Sequence, residues 1–364
     1  MSNVRPLKQV EEMEETTQPD SVFSIENFVL NGNSQEMRKK MKEQKFVLGR
    51  LAAEGQSTVF YGGPNTGKTL LTMHQLIEAI EHDNVKADRV FYINADDHYR
   101  GLTEKLELAE RHGFNMLAPS YKGFKSEMLK PLLEQLIQSD QARGAILILD
   151  TLKKFTDQMD KRKASEFGSY SREFISQGGT LILLSHVNKH KDSSGKSVHA
   201  GTTDILEDVD CSYILDATEG EGSTKMVVFE NNKMRGDMAK TQAFQYSTQE
   251  GQNYQDLLSS VCSINSRDLS ESRKKQSRGE QAAAFRELIN ETIACITGGI
   301  SKKTELVSEV HNRTSISKRK VTQCLSMFSG ANREEHQYWT SKTEKHNAQI
   351  YQLNPQTREL GARV

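Results

Sequence analysis

One stretch limits what this chain can fold into more than any other: Gly62-Gly63-Pro64-Asn65-Thr66-Gly67-Lys68-Thr69. It satisfies G-x-x-x-x-G-K-[ST], the phosphate-loop pattern, at every fixed position. Upstream, Ser57-Thr58-Val59-Phe60-Tyr61 is a β-branched and aromatic run that reads as a buried strand. Downstream, Leu70 to Ile80 carries apolar residues at helical spacing. Strand, glycine-rich turn and helix together aim the loop amides and the positive end of the helix dipole at one anion. Gly62 and Gly67 supply backbone freedom that a Cβ would remove. The expected nucleotide-binding set is Gly62, Gly63, Pro64, Asn65, Thr66, Gly67, Lys68, Thr69 and Leu70. Lys68 is expected at the β- and γ-phosphates of ATP, and the Thr69 hydroxyl on Mg²⁺.

The rest of the chain supplies a sheet to carry that loop. Arg89 to Asn94, Ala145 to Asp150 and Thr180 to His186 are buried-strand patterns separated by helical ones. Shorter strands are expected at Ser212 to Asp216 and Lys225 to Glu230. Strands alternating with helices predict an α/β fold with a mostly parallel sheet and right-handed crossovers. After Tyr246 the composition turns polar, and Asn265 to Arg278 is rich in Ser, Arg and Lys, which reads as a linker. Helical patterns follow at Gln281 to Thr297, Lys303 to Asn312 and Lys318 to Phe328. Two extended pieces follow, around Tyr338 to Thr340 and Ile350 to Leu353. Three helices and a hairpin is the element order of a winged helix-turn-helix. The expected boundaries are a disordered stretch at 1–22, a nucleotide-binding domain at 23–247, a linker at 248–279, a winged module at 280–354 and a tail at 355–364.

Charge adds a hint about partners. Net charge is -1, yet residues 251–364 hold 17 Lys+Arg against 12 Asp+Glu. A basic C-terminal part on an acidic core suits a polyanion such as DNA. The four cysteines show no metal-ligand spacing, the first residues lack the apolar core of a signal peptide, and no apolar run is long enough for a bilayer. The expectation is a cytoplasmic protein with reduced thiols and no membrane partner.

Several residues at strand ends are placed to do chemistry. Asp150 follows four aliphatic residues, where a carboxylate can share Mg²⁺ with Thr69. Asp96 and Asp97 end the second strand, and one of them, Asp96 ahead of Asp97, is expected to orient the attacking water. His186 ends another strand and faces the same rim. Lys233 and Arg235 lie two apart, so strand alternation puts both cations on one face. That arrangement suits γ-phosphate charge, but it equally suits a basic loop on DNA.

The phosphate loop is accompanied by four further blocks: Tyr92 to Asp97, Leu149 to Phe155, Ser185 to Lys189, and Gly201 to Asp204 with Asp208 and Asp210. With them, residues 46–247 resemble the RecA-like ATPases of hexameric helicases, especially the plasmid RepA group within the broader AAA-family label. That group carries Glu-Asp where this chain has Asp96-Asp97, so the carboxylate here is one methylene shorter. The resemblance implies ATP hydrolysis, a ring with a hexamer favoured, and single-stranded DNA in its channel. Lys233-x-Arg235 is similar to the pair that DnaB-type helicases supply to a neighbouring subunit. The resemblance also implies DNA-contacting loops at Lys153 to Lys163 and at Lys189 to His199, with Lys189 and Lys191 as contacts. In the winged module, Lys318, Arg319 and Lys320 open the expected recognition helix, with Lys342, Lys345 and His346 in the wing. Such modules also dock proteins, so both readings stay open. The function expected is a replicative DNA helicase of a plasmid, phage or integrated element. A helicase loader or recombination mediator, and a DNA-binding regulator that uses ATP as an assembly switch, are the rivals.

Overall fold

The computed structural model describes residues 25–35, 38, 45–157, 160–191, 197–199, 208–220, 222–332, 335–344 and 348–357. The expected disorder at 1–22 lies outside these residues, as do Gly201 to Asp204, Lys345, His346 and most of the 355–364 tail. The chain divides into two compact units, Met1–Lys45 and Phe46–Val364. In the first, a short 3-10 helix spans Ile25–Phe28.

The second unit is built on one large sheet. Its strands, in chain order after a small β1 (Phe46–Leu48) and β2 (Ala52–Ala53) hairpin, begin with β3 (Ser57–Gly62), β4 (Val90–Asn94), β5 (Asn115–Leu117) and β6 (Ile146–Asp150). They continue with β7 (Thr180–Lys191), β8 (Ser197–His199), β9 (Cys211–Glu219), β10 (Thr224–Met234), β11 (Thr241–Ser247) and β12 (Cys262–Ile264). The order across the sheet is β12-β11-β10-β9-β3-β7-β6-β4-β5, with β8 paired to β7. From β9 through β5 every neighbour is parallel, and β10, β11 and β12 extend the sheet antiparallel. This is the α/β fold with a mostly parallel sheet that the sequence predicts.

Strand alternation divides the core into two layers. Phe60, Tyr92, Ile148 and Ile182 face a layer shared with α1 (Lys68–Glu81) and α2 (Tyr99–His112). Val59, Ile93, Leu147 and Leu181 face the other, shared with α3 (Leu129–Gln138) and α4 (Lys161–Ser176). Burial on both faces is why these strands read as unbroken apolar runs. The loops that follow the parallel strands therefore gather at one edge, where a ligand can sit outside the strand ends.

Residues 248–279 depart from the linker expected of them. They fold as α5 (Tyr254–Ser259), then β12, which pairs with β11, then α6 (Ser266–Ala284). The polar composition misled because α6 presents a mostly solvated surface. Its buried Leu269 packs with Met226, Val228 and Ala243 of the sheet, and Asn265 caps it by accepting from the amides of Arg267 and Asp268. The helix expected over Gln281 to Thr297 is broken at Phe285, where α6 ends and α7 (Arg286–Thr297) begins.

Beyond lie α8 (Lys303–Thr314), α9 (Lys318–Met327) and a hairpin of β13 (Trp339–Thr343) and β14 (Gln349–Leu353). Their separate small core holds Leu288, Leu306, Val310, Val321, Leu325, Trp339 and Leu353. Trp339 is fully buried, and its indole Nε1 donates to the Leu325 carbonyl at 3.0 Å. Among the described residues no helix is long and apolar enough to cross a membrane.

Candidate nucleotide site

The phosphate loop leaves β3 at Gly62 and enters α1 at Lys68. Both glycines at its ends are demanded by space. A Cβ on Gly62 would lie 2.6 Å from Thr66 Oγ1, and one on Gly67 would lie 3.0 Å from the Tyr246 ring. Gly67 also has φ of 85°, a left-handed conformation that an L side chain resists. The 14-residue α1 then directs its dipole at the loop. Lys68 folds over this loop, and its Nζ donates to the carbonyls of Gly62 and Gly63 at 2.8 Å each. Burial lowers its pKa to about 8, only partly offset by Asp150 and Asp96.

Asp150 ends β6, but β6 is not beside β3. The intervening β7 separates them, and the bridge is made by a side chain: Thr69 Oγ1 donates to Asp150 Oδ2 at 2.8 Å. The Tyr92 hydroxyl donates to the same oxygen at 2.8 Å. Asp150 is 3% exposed, and burial raises its pKa although both hydroxyl bonds pull it down. Two neutral donors do not offset the desolvation of a buried carboxylate. A hard cation would, and an Asp oxygen beside a Thr hydroxyl is the oxygen donor set that Mg²⁺ takes. The residues present therefore fit the metal that the loop implies.

The structure separates the two rim aspartates, which the sequence could not. Asp97 is committed: Asn94 Nδ2 donates to it at 2.6 Å, and the buried Lys105 ammonium pairs with it. Asp96 stays half-exposed, with the Lys153 ammonium 3.9 Å away. Lys153 Nζ also lies 3.5 Å from His186 Nε2. Burial, then the charges of Lys68 and Lys153, lower the pKa of His186, which keeps the ring neutral at pH 7.

These groups share a cavity of about 430 Å³ with Pro64 to Leu70, Lys225, Tyr246, Tyr254 and Leu257. That volume is ordinary for a small-molecule site. A larger cavity, about 840 Å³, lies among α6, α7 and Tyr338. It has no glycine-rich loop and no convergent charges, so the smaller one is the chemical site.

Sequence reasoning missed Tyr92, Asn94, Lys105, Lys153, Tyr246 and Tyr254. Only Lys105 left a signal. It occupies a position in the stripe Lys105, Leu108, Ala109 of α2, where a cation interrupts an apolar face.

Lys233 and Arg235 are not brought to this loop. Lys225 at the start of β10 lies beside it, and Lys233 sits eight residues along the same strand, roughly 25 Å away at the rise of a β-strand. Arg235 Nη1 instead donates to Asp210 Oδ1 at 3.1 Å, and Arg172 Nη1 donates to the same oxygen at 3.1 Å. Burial and the neighbouring Arg235 lower the pKa of Lys233. Of the expected DNA-contacting loops, 158–159 and 192–196 lie outside the described residues. Lys153 and Lys154 lie in a 3-10 turn after β6, and Lys189 and Lys191 lie in the last part of β7, which pairs with β8. Lys318, Arg319 and Lys320 form the exposed first turn of α9, capped by Ser317.

Two solved structures give a measure of likeness. One is a KaiC-like protein from the hyperthermophilic archaeon Pyrococcus horikoshii, 14% identical, covering 62% of this chain and 98% of that chain with a TM-score of 0.40. Another is the flagellar accessory protein FlaH from Methanocaldococcus jannaschii, 11% identical, covering 58% and 91% with a TM-score of 0.41. No curated protein matches the chain. A family model described as an AAA domain matches residues 34–192. That span holds the phosphate loop, both rim aspartates, Asp150 and His186, and over it this chain is similar to the AAA-domain family.

Proposed function

We propose that this protein is an ATP-hydrolysing DNA motor, a replicative helicase of the RepA type belonging to a plasmid, phage or integrated element. The observation that carries the ATPase part is the Thr69–Asp150 bond, which joins the phosphate loop to a buried carboxylate whose desolvation outweighs its two hydroxyl bonds and the charge of Lys105. The DNA part rests on basic segments that leave the same strand ends, Lys153 after β6 and the β7–β8 hairpin with Lys189 and Lys191.

In this reading ATP lies with its phosphates at the N-terminus of α1. Lys68 exchanges the carbonyls of Gly62 and Gly63 for the β- and γ-phosphates. Thr69 and Asp150 would hold Mg²⁺, which would supply charge neutralisation to the phosphates. Asp96 orients the water that attacks the γ-phosphorus, giving ADP and phosphate. Asp97 holds Asn94 and Lys105 in place instead of acting on water. His186, neutral and between β3 and β6 at the strand ends, senses the γ-phosphate through a hydrogen bond. Lys233 and Arg235 act on the nucleotide of an adjacent subunit, which requires a ring, with a hexamer favoured. The α7–α9 and β13–β14 module is a winged helix that meets duplex DNA through Lys318, Arg319 and Lys320.

The test is ATP turnover with and without single-stranded DNA, for wild type and Lys68→Ala, with a forked duplex in the same assay. The expected result is DNA-stimulated turnover that opens the fork and is abolished by Lys68→Ala. Stimulated turnover with an intact fork would move the assignment to a loader. Asp96→Asn is expected to lose more turnover than Asp97→Asn at equal nucleotide affinity, and the reverse order would exchange their roles.

A further inference from the structure

The nucleotide cavity is completed from outside the AAA-like span. α5 follows the last long strand of the sheet, and its first residue, Tyr254, lines the cavity together with Leu257. Asn253 caps this helix by accepting from the Asp256 amide, which fixes where Tyr254 begins. The ring is held against the site: the Lys105 ammonium lies 5.2 Å from its centroid. Leu257 and Tyr254 also pack against the layer that contains Leu70 and Leu71 of α1.

The hydroxyl is the anomaly. It is buried and has no hydrogen-bond partner, although it is close enough to Asp150 and Asp97 to feel both charges. A buried hydroxyl left unpaired costs roughly 1–3 kcal/mol, so such groups are rare and call for an explanation. Other buried unpaired hydroxyls occur, at Thr58 and Thr72 for example, but those residues do not line this cavity. Tyr92 shows the contrast. It is also a buried tyrosine in this region, and its hydroxyl is satisfied by Asp150. With Asp150 Oδ2 already taking Thr69 and Tyr92, the Tyr254 hydroxyl is left without an acceptor on a residue that lines the cavity.

We propose that Tyr254 is a nucleotide-binding residue, whose hydroxyl donates a hydrogen bond to an oxygen of the bound Mg²⁺–nucleotide assembly. This rests on the ATPase reading above and deepens it. The assembly brings anionic phosphate oxygens and metal-held water into the cavity, and either is an acceptor the hydroxyl lacks in the protein alone. Because α5 runs directly into β12 and α6, the same contact ties the loaded site to the chain that leads to the C-terminal helices.

Tyr254→Phe removes the hydroxyl and keeps the ring. The experiment is calorimetric titration of the full chain with a non-hydrolysable ATP analogue, once with Mg²⁺ and once with a chelator, beside the melting temperature of the ligand-free protein. Wild type, Tyr254→Phe and Lys68→Ala are compared. One hydrogen bond of about 0.5–1.5 kcal/mol corresponds to a loss of roughly twofold to tenfold in affinity with Mg²⁺. The ligand-free melting temperature is expected to hold or rise, because the substitution removes an unpaired buried group. Unchanged affinity with a lowered melting temperature would overturn the proposal and make the hydroxyl structural. Unchanged affinity with an unchanged melting temperature would also overturn it, since the hydroxyl would then touch neither a phosphate oxygen nor metal-held water. If wild type binds no nucleotide under either condition, the ATPase reading itself fails, a result distinct from the other two.

Discussion

Two buried aspartates stand at opposite edges of the same sheet, and their environments differ in kind. Asp150, at the ends of the parallel strands, accepts from the Thr69 and Tyr92 hydroxyls and from no cation at hydrogen-bond distance. Asp210, at the other edge, accepts from the Ser57 amide and hydroxyl, from Arg172 and from Arg235. Burial pushes both carboxyls up. At Asp150 it wins and the pKa is raised. At Asp210 the Ser57 bonds and Arg172 outweigh it and the pKa is lowered. Among the described residues no cation bonds the first carboxylate, on which Lys68 and Lys105 act only from a distance, whereas two guanidinium groups bond the second. A site that must receive a cation with its anionic ligand has to be left uncompensated in the protein alone, at some cost in stability. A carboxylate that joins β3, α4 and the end of β10 has no such requirement.

The largest effect that can break this contrast lies at Asp150. Asp150→Asn keeps the shape and removes the charge. Mg²⁺-dependent ATP turnover should fall on the order of a hundred- to a thousandfold, the usual loss when one charge-stabilising group is removed. The protein should nevertheless melt no lower than wild type. The sign follows from linkage. A carboxyl with a raised folded pKa contributes most at low pH and loses that contribution as pH rises through the folded value, so neutral pH is where its charge destabilises. A large drop in melting temperature for Asp150→Asn at pH 7 would mean that Asp150 is structural.

Asp210→Ala should do the opposite. It strands the buried Ser57 amide, and a loss of about 1–3 kcal/mol is expected in denaturant unfolding, with the phosphate loop's nucleotide affinity unchanged. Its lowered pKa gives stability that is present above the ordinary carboxylate range and disappears as pH falls through the folded value. Unfolding measured from pH 7 down to pH 3 should therefore show the wild type losing its advantage over Asp210→Ala. Parallel curves would refute the assignment.

The sequence made one of these edges readable and hid the other. The phosphate loop and the run Ala145 to Asp150 are local patterns, so both partners of the Thr69–Asp150 hydrogen bond are legible in the sequence. Their spatial relation is not, because β7 intervenes between their strands through a pairing that leaves no local trace. The choice between Asp96 and Asp97 depended on Lys105, nearly two turns into α2, and only three-dimensional packing assigns that lysine to Asp97. Residues 248–279 were obscured for a different reason. A solvated helix with few buried positions, Leu269 among them, has the composition of a linker, and the strand at Cys262–Ile264 is too short for alternation to register. Lys233 and Arg235 were legible as a pair of cations, but a sequence cannot say at which edge of a sheet a strand ends.

The smallest predicted effect sharpens the electrostatic side of the contrast without changing any residue. Lys68 is buried 8% exposed at the uncompensated edge, and its pKa near 8 is low enough to matter in an ordinary assay. Phosphate favours the charged ammonium, so binding raises that pKa and takes up a proton wherever the free lysine is neutral. Nucleotide affinity should be flat below pH 8 and fall above it, by at most about tenfold per pH unit. Titrations at pH 9 in two buffers of different ionisation enthalpy should reveal proton uptake, and titrations at pH 7 should reveal none from this group. Lys68→Ala, measured at nucleotide concentrations high enough to retain binding, should erase the difference between the two pH values. Affinity that stays level to pH 9.5 in the wild type would show that Asp150 and Asp96 already hold Lys68 charged. The edge would then be balanced from within, and the case for a cation arriving with the nucleotide would lose its physical basis.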